Sequence, residues 1–177
     1  MIATCNHTET QTVTAIKVSK LSEIDHWLQE ALKYQRDGDL KSAECLYEKV
    51  LGCDPENADA LHLQGLIDFD NGDTENAIIK IQRAIASDPT FFDFHRSLGN
   101  VRKTSGQIEA ALCAYNQAFT INPMDILSLY EAGALDYKLG RLDAAESCLK
   151  SVSSLNPTMR VHVTISVWST GQKNNTG

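Results

Sequence analysis

The chain is poor in the residues that break or staple a fold. Of its 177 residues only four are proline and ten glycine, which sets it apart from collagen-like and low-complexity chains. No run of about 18 apolar residues is available to span a membrane. The opening MIATCNHTETQTVTAIKVSK has no apolar core of the kind a secretory signal needs, so the expected compartment is the cytoplasm. The five cysteines, Cys5, Cys45, Cys53, Cys113 and Cys148, form neither a CxxC pair nor an even disulfide framework, and they read as reduced thiols. Positive charge is scarce as well. Sixteen Lys and Arg face 23 Asp and Glu, for a net charge of −7, which argues against nucleic acid or an anionic membrane as partner, because both demand clustered cations.

The constellations of an enzyme are missing too. His7, His26, His62, His95 and His162 show no HExxH and no metal-ligand spacing with cysteine. There is no GxSxG and no glycine-rich phosphate loop. Cys45 and Cys113 occupy one repeat position and read as small apolar fillers. No catalytic, cofactor or metal site is expected.

What the sequence has is a period. Pro55, Pro89, Pro123 and Pro157 are spaced by 34 residues, as are Gly38, Gly72, Gly106 and Gly140, and Ala43, Ala77, Ala111 and Ala145. Gly65, Gly99 and Gly133 keep the interval, with Ala31 in the first block. A fixed period of this size marks a repeat array in which each unit is one supersecondary element. In QIEAALCAYNQAFTINP, residues Ile108, Ala111, Leu112, Tyr115, Ala118 and Phe119 recur at three- and four-residue spacing, one apolar helical face. Gly106, able to take left-handed angles, separates that helix from the one before it. Proline ends each unit, since the residue before it is driven from helical angles. Thr90 and Ser22, three residues ahead of Asp93 and Asp25, are expected to cap the first helices of their units.

Each unit is therefore a helix hairpin, helix A followed by helix B. The small residues let the two backbones approach, and Trp27, Tyr34, Leu40, Tyr47, Leu51, Leu61, Ile81 and Ile85 fill the remaining space. A hairpin of 34 residues buries too little alone, so units must stack. Blocks 24–57 and 58–91 each net −4, whereas 92–125 is neutral and 126–159 nets −1. Acidity lies in the first half.

The pattern Trp27, Ala31, Tyr34, Gly38, Ala43, Tyr47, Pro55 resembles the tetratricopeptide repeat, and LGNVRKTSGQIEAALCAYNQAFTINP carries the resemblance best. It covers residues 24–159 and implies an all-α, right-handed superhelical solenoid of antiparallel hairpins, with residues 22–159 as a four-repeat domain. His95, where the family often has Trp, and Ser153, where an apolar residue is usual, depart from the pattern. The resemblance further implies a concave groove lined by helix A, which offers Asp25, Leu28, Leu32, Gln35 and Arg36, then Asp59, His62, Leu66, Phe69 and Asp70. The third and fourth repeats add Asp93, Arg96, Asn100, Lys103 and Thr104, then Leu127, Tyr130, Ala134, Tyr137 and Lys138. Such a wall, with a basic middle at Arg96 and Lys103, would suit a peptide that has a hydrophobic anchor and an acidic group.

Family specialisations fit less well. The chaperone-type carboxylate clamp would need Lys and Asn where Leu28 and Leu32 stand. Of an asparagine ladder of the O-linked N-acetylglucosamine transferase kind, only Asn100 is present. Residues 1–21 lack a sustained period and are expected to be a polar, disordered segment. Residues 160–177 are expected to be an irregular tail, because RVHVTISVW alternates like a strand where a capping helix would be usual. Three readings follow: a non-catalytic scaffold holding a protein or peptide; an accessory segment of a glycosyltransferase-like enzyme whose catalytic part is not in this chain; and self-association through the C-terminal end.

Overall fold

The computed structural model describes the backbone of residues 6–156 and the side chains of residues 20–156. Eight helices occupy it: α1 (Asn6–Arg36), α2 (Leu40–Cys53), α3 (Ala58–Asp70), α4 (Thr74–Ser87), α5 (Phe92–Thr104), α6 (Ile108–Ile121), α7 (Ile126–Lys138) and α8 (Leu142–Leu155). No strand occurs among the described residues, nor is any of their helices long and apolar enough to cross a membrane. The helices pair in sequence as α1–α2, α3–α4, α5–α6 and α7–α8. The chain divides into two compact units, residues 1–87 with α1–α4 and residues 88–177 with α5–α8.

The hairpin turns are built as the glycine spacing demands. Gly38, Gly72, Gly106 and Gly140 have φ of 82°, 87°, 77° and 75°, the left-handed region where a Cβ is penalised. Each glycine amide bonds back three residues and the following amide five, as when Gly106 donates to Lys103 and Gln107 to Arg102, at 3.2 and 2.9 Å. Orphan carbonyls at the end of helix A are thereby satisfied. Asp39 then caps α2, accepting from the Ser42 amide at 3.2 Å, and Asp73 does the same for Asn76 at 3.2 Å. These hydrogen bonds hold both carboxyls below the usual carboxylate range. At the other end of the hairpin, Asp54 and Asn122 leave helical angles, at φ −138° and −124°, as residues ahead of proline must.

Interlock of small against large residues holds each hairpin together. Tyr115 and Tyr47 are fully buried, at the same repeat position. A Cβ added to Gly99 would lie 2.7 Å from the Tyr115 ring, closer than packing tolerates, so the ring occupies the space the glycine leaves open. Ala31, also fully buried, stands at the corresponding place in the first hairpin. In unit 1 the core gathers Ala31, Ala43, Leu46, Tyr47, Val50, Ala60 and Ile67, with Trp27 and Leu28 against its edge. In unit 2 one cluster joins Ala111, Leu112 and Tyr115 to Ala132 and Leu135 of the next hairpin, and another joins Leu129 and Val152.

Three expectations need correction or limits. Residues 6–21, expected to be disordered, lie in α1. Helical hydrogen bonds are local and an existing helix extends at low cost, so a polar stretch without apolar period can continue one. Ser22 is inside α1 and caps nothing, while Thr90 turns its amide and hydroxyl to Asp88 at 3.0 and 2.6 Å. Phe91 starts α5 with no side-chain cap. The strand-like RVHVTISVW, with the rest of 160–177, lies outside the described residues.

Candidate functional site

In unit 1 the helix-A faces belong to α1 and α3. Helical spacing sets Asp25, Leu28, Leu32, Gln35 and Arg36 along one side of α1 and Asp59, His62, Leu66, Phe69 and Asp70 along one side of α3. Asp25, Arg36, Asp59 and Asp70 are exposed, and Leu28, Leu32, Gln35, His62, Leu66 and Phe69 are half-buried. Leu28 belongs partly to the core, packed against the cluster that contains Ala31 and Tyr47. Gln35 is held from behind, its Oε1 accepting from the buried Tyr47 hydroxyl at 2.9 Å, and burial pushes that phenol up to about 12.

In unit 2 the corresponding faces are on α5 and α7. The Asn100 side-chain oxygen accepts from the Tyr115 hydroxyl at 2.7 Å, which leaves its amide nitrogen free to donate on an exposed side chain. Burial, aided by Glu131, raises the Tyr115 phenol further, so it remains a neutral donor. On α7, Leu127 is 51% exposed and Ala134 and Lys138 are exposed, with Tyr130 and Tyr137 half-buried. Leu127, Tyr130, Ala134 and Tyr137 recur at three- and four-residue steps and form one apolar, aromatic stripe. Tyr130 also leans on the Leu129–Val152 cluster. Thr104 is exposed, its hydroxyl returned to the Asn100 carbonyl at 3.0 Å.

The basic middle expected at Arg96 and Lys103 is not a free cationic patch. Arg96 bridges Asp93 and Asp125, the latter pair at 3.2 Å, and its guanidinium sits 5.4 Å from the Phe92 ring centre. Asp125 is only 6% exposed and also accepts from the Ser128 hydroxyl. Lys103 pairs with Glu131 at 2.8 Å and lies 5.9 Å from the Tyr115 ring centre. Three carboxylates answer two cations, so the local charge favours no anion. Asp125, Ser128 and Glu131 were not among the expected site residues. The 34-residue period gave no signal for them: Arg96–Asp125 and Lys103–Glu131 are 29 and 28 residues apart, Arg83–Glu56 in unit 1 is 27 apart, and the tied positions are not repeated ones.

Nothing else on the described surface gathers chemistry. No group of three or more His, Cys, Asp or Glu among the described residues could hold a metal. Cys45, Cys53 and Cys113 are exposed free thiols and Cys148 is half-buried, its thiol pushed up by burial and by Asp136.

The fold defined by paired helices, left-handed glycine turns and small-against-large interlock is that of tetratricopeptide-repeat proteins. No protein-family model and no curated protein matches the chain, but solved structures do. MamA is similar at 26% identity over 72% of this chain and 74% of its own, with a TM-score of 0.66. A mutant O-GlcNAc transferase from Thermobaculum terrenum reaches 28% identity and a TM-score of 0.68 over 76% of this chain, which spans only 26% of the transferase. YrrB, described as a TPR protein with an unusual peptide-binding site, has a TM-score of 0.67 at 23% identity, over 74% of this chain and 68% of its own. The chain shares the tetratricopeptide-repeat fold of these structures.

Proposed function

We propose that the protein is a non-catalytic scaffold or adaptor that holds a peptide or protein segment on its helix-A faces. The observation that carries this reading is the α7 stripe of Leu127, Tyr130, Ala134 and Tyr137, partly exposed on unit 2, in the same unit as the exposed Asn100 amide that Tyr115 fixes: aromatic anchors and a donor that a peptide carbonyl can use. Gln35, Arg36, His62, Leu66, Phe69 and Asp70 play the same part in unit 1, and Arg96, Lys103 and Lys138 frame the unit 2 face. Selection from a random peptide library on the intact chain should enrich peptides with an aromatic or aliphatic anchor. Leu127→Asp combined with Tyr137→Ser removes two anchors of the stripe and should reduce their binding roughly tenfold or more, while Cys113→Ser on the exposed side of α6 should leave it intact. Failure to enrich any peptide family would remove the reading.

A second reading rests on the transferase likeness: the chain as an accessory segment of an O-GlcNAc transferase-like enzyme whose catalytic domain is elsewhere. Co-purification with a separately expressed transferase catalytic domain would support it, and its absence would count against it. A third, self-association through the last hairpin, is favoured by Leu142, 60% exposed, and Leu155, also exposed, on α8. Light scattering tests it, with a strictly monomeric mass at high concentration as the contrary result.

A further inference from the structure

The charges along the unit 1 face differ from those of unit 2 in a way that defines partner chemistry. Seven residues apart on a helix, side chains lie nearly in line. Asp25 and Leu32 thus form one row on α1, and Asp59, Leu66 and Asp70 form another on α3, with Phe69 at its flank. All three aspartates are exposed, while the two leucines and the phenylalanine are half-buried. Arg36 is the one cation in these rows, and its Nε turns back to the Leu32 carbonyl at 3.4 Å. The cations of the second hairpin are held off this face, Lys80 by Asp68 at 2.7 Å and Arg83 by Glu56 at 2.7 Å. Residues 20–87 carry 14 acidic and 7 basic side chains, against 8 and 6 in residues 88–156. Three exposed carboxylates against the single guanidinium of Arg36 leave the rim of these apolar patches net negative, and such a rim selects partners of the opposite sign.

The geometry points to a cationic, amphipathic peptide segment as the occupant of the α1–α3 face: Lys or Arg toward Asp25, Asp59 and Asp70, with an aliphatic or aromatic anchor against Leu32, Leu66 and Phe69. This deepens the scaffold reading and rests on it, and it reverses the acidic ligand expected from Arg96 and Lys103. Ionic strength acts on such binding directly, because exposed charge pairs are screened by salt.

The test uses the intact chain and three fluorescein-labelled synthetic peptides of equal length with one leucine pattern, whose remaining positions are Lys, Glu or Gln. Anisotropy in 150 mM salt should show the Lys peptide bound in preference to the Glu and Gln peptides. The triple variant Asp25→Asn, Asp59→Asn, Asp70→Asn should weaken that binding about tenfold, as expected for three rim pairs of a few tenths of a kcal/mol to one each. The control Glu44→Gln, Glu48→Gln, Glu75→Gln removes the same charge from α2 and α4 and should leave it within about twofold. Circular dichroism confirms that both variants are folded. Equal weakening in the two variants means attraction to net charge alone and overturns the proposal, as does preference for the Glu or Gln peptide. In that last case the scaffold reading survives, whereas binding of none of the peptides here, together with a blank library selection, removes both.

Discussion

Units 1 and 2 repeat one backbone and differ in how they are fastened. Both turn on left-handed glycines and interlock a buried tyrosine with a small residue. In unit 1 the hairpin turns carry aspartate caps, Asp39 and Asp73, and the hairpins are tied by Arg83 reaching the Pro55 carbonyl and Glu56. In unit 2 the same turn positions are Gln107 and Arg141, with no side-chain cap, and the ties are Arg96–Asp125 and Lys103–Glu131. The repeated positions therefore specify the hairpin, whereas the joint between hairpins is drawn from positions that do not repeat. Where the ties use helix-A cations, as in unit 2, those cations are withdrawn from ligand binding. Where the tie uses a helix-B arginine, helix A keeps its charge exposed.

The interlock should yield the largest effects. Tyr47→Ala and Tyr115→Ala each remove a fully buried ring and should cost about 3–5 kcal/mol, as large-to-small changes of aromatic core residues do. Native-state hydrogen exchange separates the two: Tyr47→Ala should deprotect amides of α1–α4 first and Tyr115→Ala those of α5–α8. Equal deprotection of all eight helices by either change would show that the two compact units are one cooperative body.

The fold was legible because its determinants are local and repeated. Glycine at 38, 72, 106 and 140, alanine at 43, 77, 111 and 145, and the residues ahead of proline act within one hairpin, and the helices begin and end around them. The start of α1 was not legible, since residues 6–21 have no apolar period and the helix there continues from its own hydrogen bonds. The cap at Thr90 was misread because its hydroxyl, the group that would have capped α5, turns to Asp88 instead. Leu127 and Asn100 came to the expected wall through the family resemblance alone, and both are exposed. The state of Arg96 and Lys103 was not legible, because charge neutralisation depends on which carboxylates a neighbouring helix brings alongside.

The tie itself predicts the next effect in size. Arg96→Ala leaves Asp125, whose side chain is 3% exposed, without its cation. Loss of one partner from a fully buried pair costs several kcal/mol, but the Arg96 side chain is 31% exposed and water screens it, so about 1–2 kcal/mol is expected in urea unfolding. Arg96→Ala with Asp125→Asn should recover part of that loss, since the uncompensated charge is gone. Arg83→Ala in unit 1, whose pair with Glu56 is exposed on both sides, should cost well under 1 kcal/mol. Similar losses for the two arginines would erase the distinction between a buried and an exposed tie.

The smallest effect concerns the capped turns. Asp39 and Asp73 have carboxyls lowered by the side-chain and backbone hydrogen bonds to Ser42 and Asn76, so the folded state binds their protons less readily than the unfolded chain. A lowered carboxyl stabilises at pH above its unfolded value, about 4, and that contribution disappears as the pH falls through the lowered folded value. Unit 2 has depressed carboxyls at Asp88, through Thr90, and at Glu146, through Lys150, but neither caps a hairpin turn. Asp39→Asn with Asp73→Asn keeps a side-chain oxygen at each cap and removes only the charge. Urea midpoints of the parent and this variant should therefore coincide at low pH and separate slightly between pH 4 and 7, with the parent the more stable. A constant offset across the whole range would mean that the charge of the caps contributes nothing and that a neutral side-chain oxygen serves these turns as well.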